Sequence, residues 1–449
     1  ETDLSFTPVL ATKVEAAADG KSYIITVRDG VTWHDGQKFT ADDLAFTIES
    51  YWKPISGGLA LKSLTGAKAL DEHRVEVTFA HPMPEFSFKF FMTGDVVLPK
   101  HVYAGSDIRT NPANNQVVGT GPWKLKEWVP RERMVLERFA DYYEPNLPYM
   151  DGIQYKVLIE LASRVAALRA KQVDFSQVAY EAVDQLKSDP SLTVLSRSRG
   201  WVRVGLINHS RKPLDDVRVR KALDMALDRN EIIEKGIGKA DVSGPIPAGH
   251  PSYALKPEEL PPYYLKPDIE GAKKLLADAG LANGFKIRLT IESEHPYIAK
   301  LVQVMQQNWK KINVDAQIIA MPSASISKAI GKDSGFDYDV RFTAWTFYPD
   351  ADNYTYNWYH SQSSGMDSLG PRWNDKELDT MMDKARTMPD GAERRAAYVA
   401  IQKRLMDTVP TFWFHNEYYF EAIRNDLKGF LQNPPARRGL SMRTAWLDK

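Results

Sequence analysis

The sequence predicts a mixed α/β chain folded as two or three lobes, and three observations carry that expectation. A length of 449 residues exceeds what one hydrophobic core supports, because single cores stop growing beyond about 250–300 residues. Strand patterns of period two alternate with helical patterns of period 3.6 along the whole length. In the second half, two βα-type units follow one another between about 268 and 319.

Taken in order, residues 23–33 read as a hairpin. Tyr23, Ile25 and Val27 alternate with Ile24 and Thr26, and Asp29-Gly30 supplies the turn before Val31, Thr32 and Trp33. After the turn His34-Asp35-Gly36, Thr40 opens T-A-D-D, a capping-box-like helix start with Asp43 at its third position. With the alternating strand Arg74–Phe79 this makes an α+β lobe ending near residue 112. From about 116 the texture changes to a tight turn, Gly119-Thr120-Gly121-Pro122, strands at 123–128 and 134–138, a helix at 162–171 and a short one within 178–186.

Strand 202–208 leads into an amphipathic helix with Val219, Leu223, Ala226 and Leu227 inward. The proline-rich stretch 245–267 reads as irregular. Asp268 caps a helix that Gly280 ends in the left-handed position. Strands at 285–291, 314–319 and 338–345, helices at 298–311, 375–387 and 392–407, and last strands near 411–424 complete the reading. There is no internal repeat and no low-complexity tract.

Composition excludes several classes. Lys plus Arg equals Asp plus Glu, 58 against 58, so no global field favours nucleic acid or an anionic membrane. No apolar run approaches the roughly 20 residues that span a bilayer, and the mean hydropathy is −0.40. Cysteine is absent, which removes thiol catalysis, disulfides and thiolate-held metals and suits an oxidising compartment. The amino terminus shows no charged region followed by an apolar one; the expectation is of a leader already removed or lying outside this sequence.

Catalytic and metal motifs are missing. The nine histidines are scattered, with no spacing that sets two imidazoles on one face, so His34 and His360 read as turn or surface residues and no metal is expected. No nucleophile elbow or phosphate-binding loop occurs. Asp42-Asp43 and Asp215-Asp216 sit at helix starts, where the macrodipole favours acids. No cofactor and no catalytic residue is assigned.

The unusual segment is 341–360, R-F-T-A-W-T-F-Y-P-D-A-D-N-Y-T-Y-N-W-Y-H. Aromatic residues interleave with Asp350, Asp352 and Asn353 where a strand breaks at Pro349. Such polar residues are not expected inside a helix or strand, whereas ligand walls combine apolar surface with a few fixed polar groups. An aromatic mini-core under a loop is the other reading. The aromatic segment Thr411–Phe420 reads mainly as core.

Several stretches together resemble the dipeptide/oligopeptide-binding family (family 5) of ABC-importer solute-binding proteins. They are P-V-L-A-T-K at 8–13, D-G-K-S-Y-I-I-T-V-R-D-G-V-T-W-H-D-G-Q-K-F-T-A-D-D-L-A-F at 19–46 and G-T-G-P-W-K-L at 119–125. N-H-S-R-K-P-L-D-D-V-R-V-R-K-A-L at 208–223 and A-K-K-L-L-A-D-A-G at 272–280 complete the set. The resemblance implies an α/β fold of the periplasmic-binding-protein type (class II, cluster C-like), with two α/β lobes joined by a hinge plus a smaller α+β domain. On that plan 1–112 is the smaller domain, 113–200 and 426–449 the first lobe, and 201–425 the second. The family usually has several dozen residues before the position of Glu1, so the first lobe is expected to lack its opening strands or to be completed by a separate N-terminal segment.

The resemblance also implies a function. The chain is expected to be a monomeric, non-enzymatic binding protein, periplasmic or a membrane-anchored extracytoplasmic lipoprotein, delivering cargo to an ABC permease in the inner membrane. The cargo is expected to be a peptide-like zwitterion caught by hinge closure, with an oligosaccharide, opine or metal chelate, or a hydrolase using the same cleft, as alternatives. In peptide-binding members an acid three residues past the tryptophan corresponding to Trp345 pairs with the ligand amino group. This chain has Tyr348 there, with Asp350 and Asp352 the nearest acids. The expected ligand-binding set is therefore Trp345, Phe347, Tyr348, Asp350, Asp352 and Asn353, with Arg341 and Arg203 as counters to a ligand carboxylate or instead as surface arginines.

Overall fold

The computed structural model describes residues 6–56, 61, 63–93, 95–250, 252–294, 296–329, 337–345, 350–363, 373–432 and 440–448. It divides into two compact units, Glu1–Ser196 with Phe420–Lys449, and Arg197–Tyr419.

The first unit opens on four antiparallel strands, β1 (Ala11–Ala16), β2 (Ser22–Val27), β3 (Leu64–Ala69) and β4 (Arg74–Phe79), in the order β1-β2-β4-β3. The hairpin expected across 23–33 does not form. β2 is paired on one edge with β1 and on the other with β4, while Thr32 makes an isolated bridge with Lys38. A lone hairpin is marginal in water, whereas four strands bury a face. Here Tyr23, Ile25, Val27, Val75, Val77 and Phe79 pack with Val31, Trp33 and Trp52 into one core. The helix start at Thr40 is as read: its N–H donates to Asp43 Oδ2 at 3.0 Å, and Lys100 N–H donates to Oδ1 at 2.9 Å.

The H-D-G and G-T-G-P turns, distant in sequence, form one clasp. His34 Nδ1 accepts from Gly119 N–H at 3.2 Å, so Nε2 carries the proton that reaches Gly121 O at 2.9 Å. Burial lowers the His34 pKa and keeps the ring in this neutral form. An antiparallel meander follows: β5 (Trp123–Val129), β6 (Arg133–Arg138) and β7 (Gly152–Lys156). β8 (Phe175–Val178) pairs with residues 420–423.

The second unit is a mixed sheet. β9 (Leu192–Ile207), β10 (Ala240–Val242), β11 (Lys286–Glu292), β12 (Asp315–Met321), β13 (Val340–Trp345) and β14 (Thr411–Arg424) stand in the order β10-β14-β9-β13-β11-β12. β11 is parallel to β12 and β13, and β13 is antiparallel to β9. Side chains alternate between two apolar layers. Ile207, Phe342, Phe412 and Phe414 pack with the helices Val217–Met225, Ile269–Asp278 and Pro296–Lys310. Val202, Val204, Leu206, Trp345 and Trp413 pack with Ala351–Tyr359, Lys376–Arg386 and Ala392–Thr408.

The stretch 208–223 is structural. Its Arg220 gives Nε to Val409 O at 2.9 Å, Nη1 to Leu214 O and Asp215 O at 3.0 and 3.1 Å, and Nη2 to Thr408 O at 2.8 Å. One cation thereby caps the C-terminus of Ala392–Thr408, where carbonyls have no partner within the helix. Replacing Arg220 by Met leaves those carbonyls buried and unpaired and should lower the urea-unfolding free energy by about 3 kcal/mol or more. Arg220→Lys should recover only part of the loss, since an ammonium lacks the planar fork. A loss of under about 0.5 kcal/mol in Arg220→Met would show that the cap is dispensable.

Candidate functional site

In open α/β sheets ligands bind outside the carboxyl ends of the parallel strands. In the second unit that edge is formed by Glu292 at the end of β11, Trp345 at the end of β13, and Tyr297 in the first turn of Pro296–Lys310. β9 runs antiparallel to β13, so its Val202 and Arg203 lie beside Trp345 and Ala344 at the same edge.

The edge carries buried charge. Arg203 Nε pairs with Glu417 Oε1, and its Nη2 donates to the Tyr297 hydroxyl, whose ring lies 5.5 Å from the guanidinium carbon. The Arg203 and Glu417 side chains are each 6% exposed. Arg341 Nη2 is 3.7 Å from Glu292 Oε1, while its buried Nε finds no hydrogen-bond partner among the described residues. Burial lowers the Arg341 pKa, with Glu292 opposing. His415 Nε2 lies 3.9 Å from Glu417 Oε1, and neither ring nitrogen has a hydrogen-bond partner among the described residues. Burial drives its pKa down to about 4, Glu417 opposing and Arg203 reinforcing. Next to it Asn416 donates to Ser198 Oγ at 2.7 Å. The Arg203–Glu417 pair thus stands beside a neutral imidazole, and Arg341–Glu292 forms a second pair on the same sheet.

The aromatic wall is adjacent. Trp345 is 3% exposed and stacks on Trp358, ring centres 4.6 Å apart and planes 16° from parallel. Phe347 and Tyr348, like Pro349, lie outside the described residues. The remaining polar residues of the segment sit in a helix, Ala351–Tyr359, contrary to the expectation that none would tolerate them. Each has a partner. Asp350 is the N-cap, accepts from Asp352 N–H at 3.0 Å, and pairs with Arg394 at 2.8 Å. Asp352 pairs with Arg386 at 3.1 Å, and burial raises its pKa to about 6 against the pull of that arginine. Asn353 Oδ1 accepts from Asn357 Nδ2 at 2.7 Å.

The structure therefore brings Arg203 and Trp345 to one edge, sets Arg341 four residues back along β13, opposite Leu206 and with its guanidinium toward Glu292, and engages Asp350, Asp352 and Asn353 in the support of the wall. Sequence reasoning missed Tyr297, His415 and Glu417. The signal was present for two of them: H-N-E at 415–417 sets three consecutive polar residues between the aromatic runs 412–414 and 418–420 of one strand.

 Packing by itself explains no polar run at that point, so the interruption was itself a pointer to the site.

A sheet of this order, with its charged and aromatic groups at the carboxyl edge of the parallel strands, defines the periplasmic-binding-protein fold. The chain belongs to the bacterial extracellular solute-binding proteins, family 5 (middle), whose profile matches residues 5–366, and is thus a solute-binding protein of ABC importers. It is 26% identical over 460 residues to the dipeptide-binding protein of Escherichia coli (strain K12), covering 95% of this chain and 84% of that protein. It is 24% identical over 448 residues to the glutathione-binding protein GsiB of Pectobacterium atrosepticum, covering 96% and 84%. Among solved structures, a putative peptide binding protein AppA from Clostridium difficile superposes with a TM-score of 0.87 at 24% identity, covering 98% of this chain and 91% of that one. These relatives are binding proteins, not enzymes, and the family is extracytoplasmic. No helix among the described residues is long and apolar enough to cross a membrane.

Burial of the neutral His415 has a thermodynamic consequence. Its pKa is about 4 folded against 6.5 free, so the unfolded chain binds more protons between those values and stability falls as pH drops through that window. His209, held near 3 by burial, acts in the same direction, and Asp352, raised to about 6 from 3.8, acts in the opposite one. The His415 share is isolated by His415→Gln. Between pH 6.5 and 4 the wild type should lose about 3 kcal/mol more than the variant in urea unfolding. Parallel stability profiles would show that His415 is not held neutral.

Proposed function

We propose that this chain captures a peptide-like zwitterion and hands it, chemically unchanged, to an ABC permease in the inner membrane. The observation that carries the reading is the buried Arg203–Glu417 pair at the carboxyl edge, on the same sheet as the Arg341–Glu292 pair and the Trp345–Trp358 stack. Opposite charges within an apolar wall suit a ligand that carries both signs on a partly apolar body. The names of the relatives point the same way, since one is called dipeptide-binding and another glutathione-binding.

In this reading Arg203 and Arg341 meet a ligand carboxylate, and Trp345, Phe347 and Tyr348 form the wall. Asp350, Asp352 and Asn353 hold that wall in place. The working form is a monomer in the periplasm, or anchored to the membrane as a lipoprotein. Residues 1–112 act as a smaller domain, while a first lobe of 113–200 with 426–449 and a second of 201–425 close over the cargo about a hinge. Closure is the state the permease reads, so apparent affinity includes the closing equilibrium.

Mass spectrometry of small molecules released by denaturing the natively purified protein is the test. A peptide-like molecule with at least one free ammonium and one carboxylate is expected; an uncharged sugar or a metal chelate contradicts the reading. With the released molecule in hand, Trp345→Phe should weaken its binding by about tenfold in calorimetry, whereas an unchanged affinity would remove Trp345 from the wall.

A further inference from the structure

His34 and the turn at 119–121 are joined by three hydrogen bonds, and two of them pass through one titratable ring. His34 N–H donates to Gly119 O at 2.9 Å. Gly119 N–H donates to His34 Nδ1 at 3.2 Å, and Nε2–H donates to Gly121 O at 2.9 Å. Gly119 thus gives both of its backbone groups to one residue, as in a β-bridge, except that a ring nitrogen stands in for the second carbonyl. A carbonyl accepts at any ordinary pH, whereas an imidazole nitrogen accepts only while it is bare.

The two sides of the contact belong to separately packed elements. His34 follows Trp33, which is fully buried with Val31 in the core of β1–β4. On the other side Pro122 O accepts from Phe139 N–H at 3.0 Å and β5 begins at Trp123, so 119–121 is the lead-in to the β5–β7 meander. The Phe139 ring meets the imidazole edge-on, with centres 4.9 Å apart.

We propose that His34 is a proton-operated latch between the four-stranded sheet and the β5–β7 meander, closed while its ring is neutral and opened locally by a proton on Nδ1. In the imidazolium, Nδ1–H points at Gly119 N–H, donor against donor, so the ring leaves its place or Gly119 turns away. Charged groups around the ring act in both directions. Lys124 of β5, whose Nζ lies 5.7 Å from the centre of the Phe139 ring, disfavours the added charge. Asp35 favours it, but its Oδ2 is already engaged by Nε2 of His101, on the short helix Lys100–Tyr103, at 2.7 Å. Desolvation is the largest influence and sets the His34 pKa below its ordinary 6.5, with the Gly121 bond and Asp35 opposing and Lys124 reinforcing. The released ring therefore takes up its proton at a higher pH than the latched one. Closure is at full strength above 6.5 and weakens as pH falls below it. The latch does not depend on what the protein carries.

Residue-resolved amide exchange on the full-length protein, corrected for intrinsic rates at a series of pH values on both sides of 6.5, tests the latch. Protection of the Gly119 amide should fall below that value by up to about tenfold per pH unit. The amides of β2, which is paired on both edges, should keep theirs. In His34→Asn the side-chain oxygen retains an acceptor for Gly119 without titrating, so Gly119 protection should become independent of pH. Nitrogen chemical shifts of the wild-type His34 ring at neutral pH should show a bare Nδ1 and a protonated Nε2. A flat Gly119 profile in the wild type overturns the latch, as does one that falls in parallel with β2 or falls equally in His34→Asn. A proton on Nδ1 at neutral pH overturns it too. Should His34→Asn not fold, the wild-type exchange profile and the ring shifts decide.

Discussion

A guanidinium or carboxylate is tolerated inside a protein when an opposite charge or a set of hydrogen-bonding groups meets it, because desolvation otherwise costs several kcal/mol per ion. That constraint organises the second unit. Asp224 and Arg229 face each other with no exposure at all. Arg220 gives its donors to four carbonyls beyond and before it in the chain. Arg394 holds Asp350 and the Tyr253 hydroxyl. Each arrangement ties a helix to its neighbours at a point where apolar packing alone would leave backbone or carboxylate unpaired, and together they hold the sheet between its two helical layers.

The carboxyl edge applies the same rule. Arg203 with Glu417 and Arg341 with Glu292 neutralise one another, and the buried His415 ring stands 3.9 Å from Glu417 Oε1. In the proposed reading these pairs keep the empty protein stable until a cargo that carries both charges arrives. The aromatic wall supplies apolar contact and shape, and the helix behind it is held by Asp350 and Asp352 through arginines from later helices.

What was legible in the sequence was local. The Thr40–Asp43 start, the Asp268 cap and the left-handed Gly280 each depend on residues within a few positions of one another, and the structure has all three. The α/β character and the family followed from such segments in order. What was illegible was non-local. Alternation at 23–27 announces a strand but not its partner, hence the false hairpin. The acids of 350–352 looked unfit for a helix because their arginines stand 44 and 34 positions away. Arg203 and Glu417 are 214 positions apart, and no local pattern joins them. Arg203 was nonetheless named as a counter to a ligand carboxylate, whereas 415–417, which holds its partner, was read as core.

The claim beneath the whole account is that charges at the carboxyl edge are buried as mutually dependent pairs. A double-mutant cycle on Arg203→Met and Glu417→Met, read as urea-unfolding free energy in the absence of ligand, tests it most directly. Each single change should cost about 3–5 kcal/mol by orphaning its partner, and the double variant should cost less than their sum by at least about 2 kcal/mol. Additivity of the two losses within about 0.5 kcal/mol would mean that the residues do not depend on each other, contradicting the account.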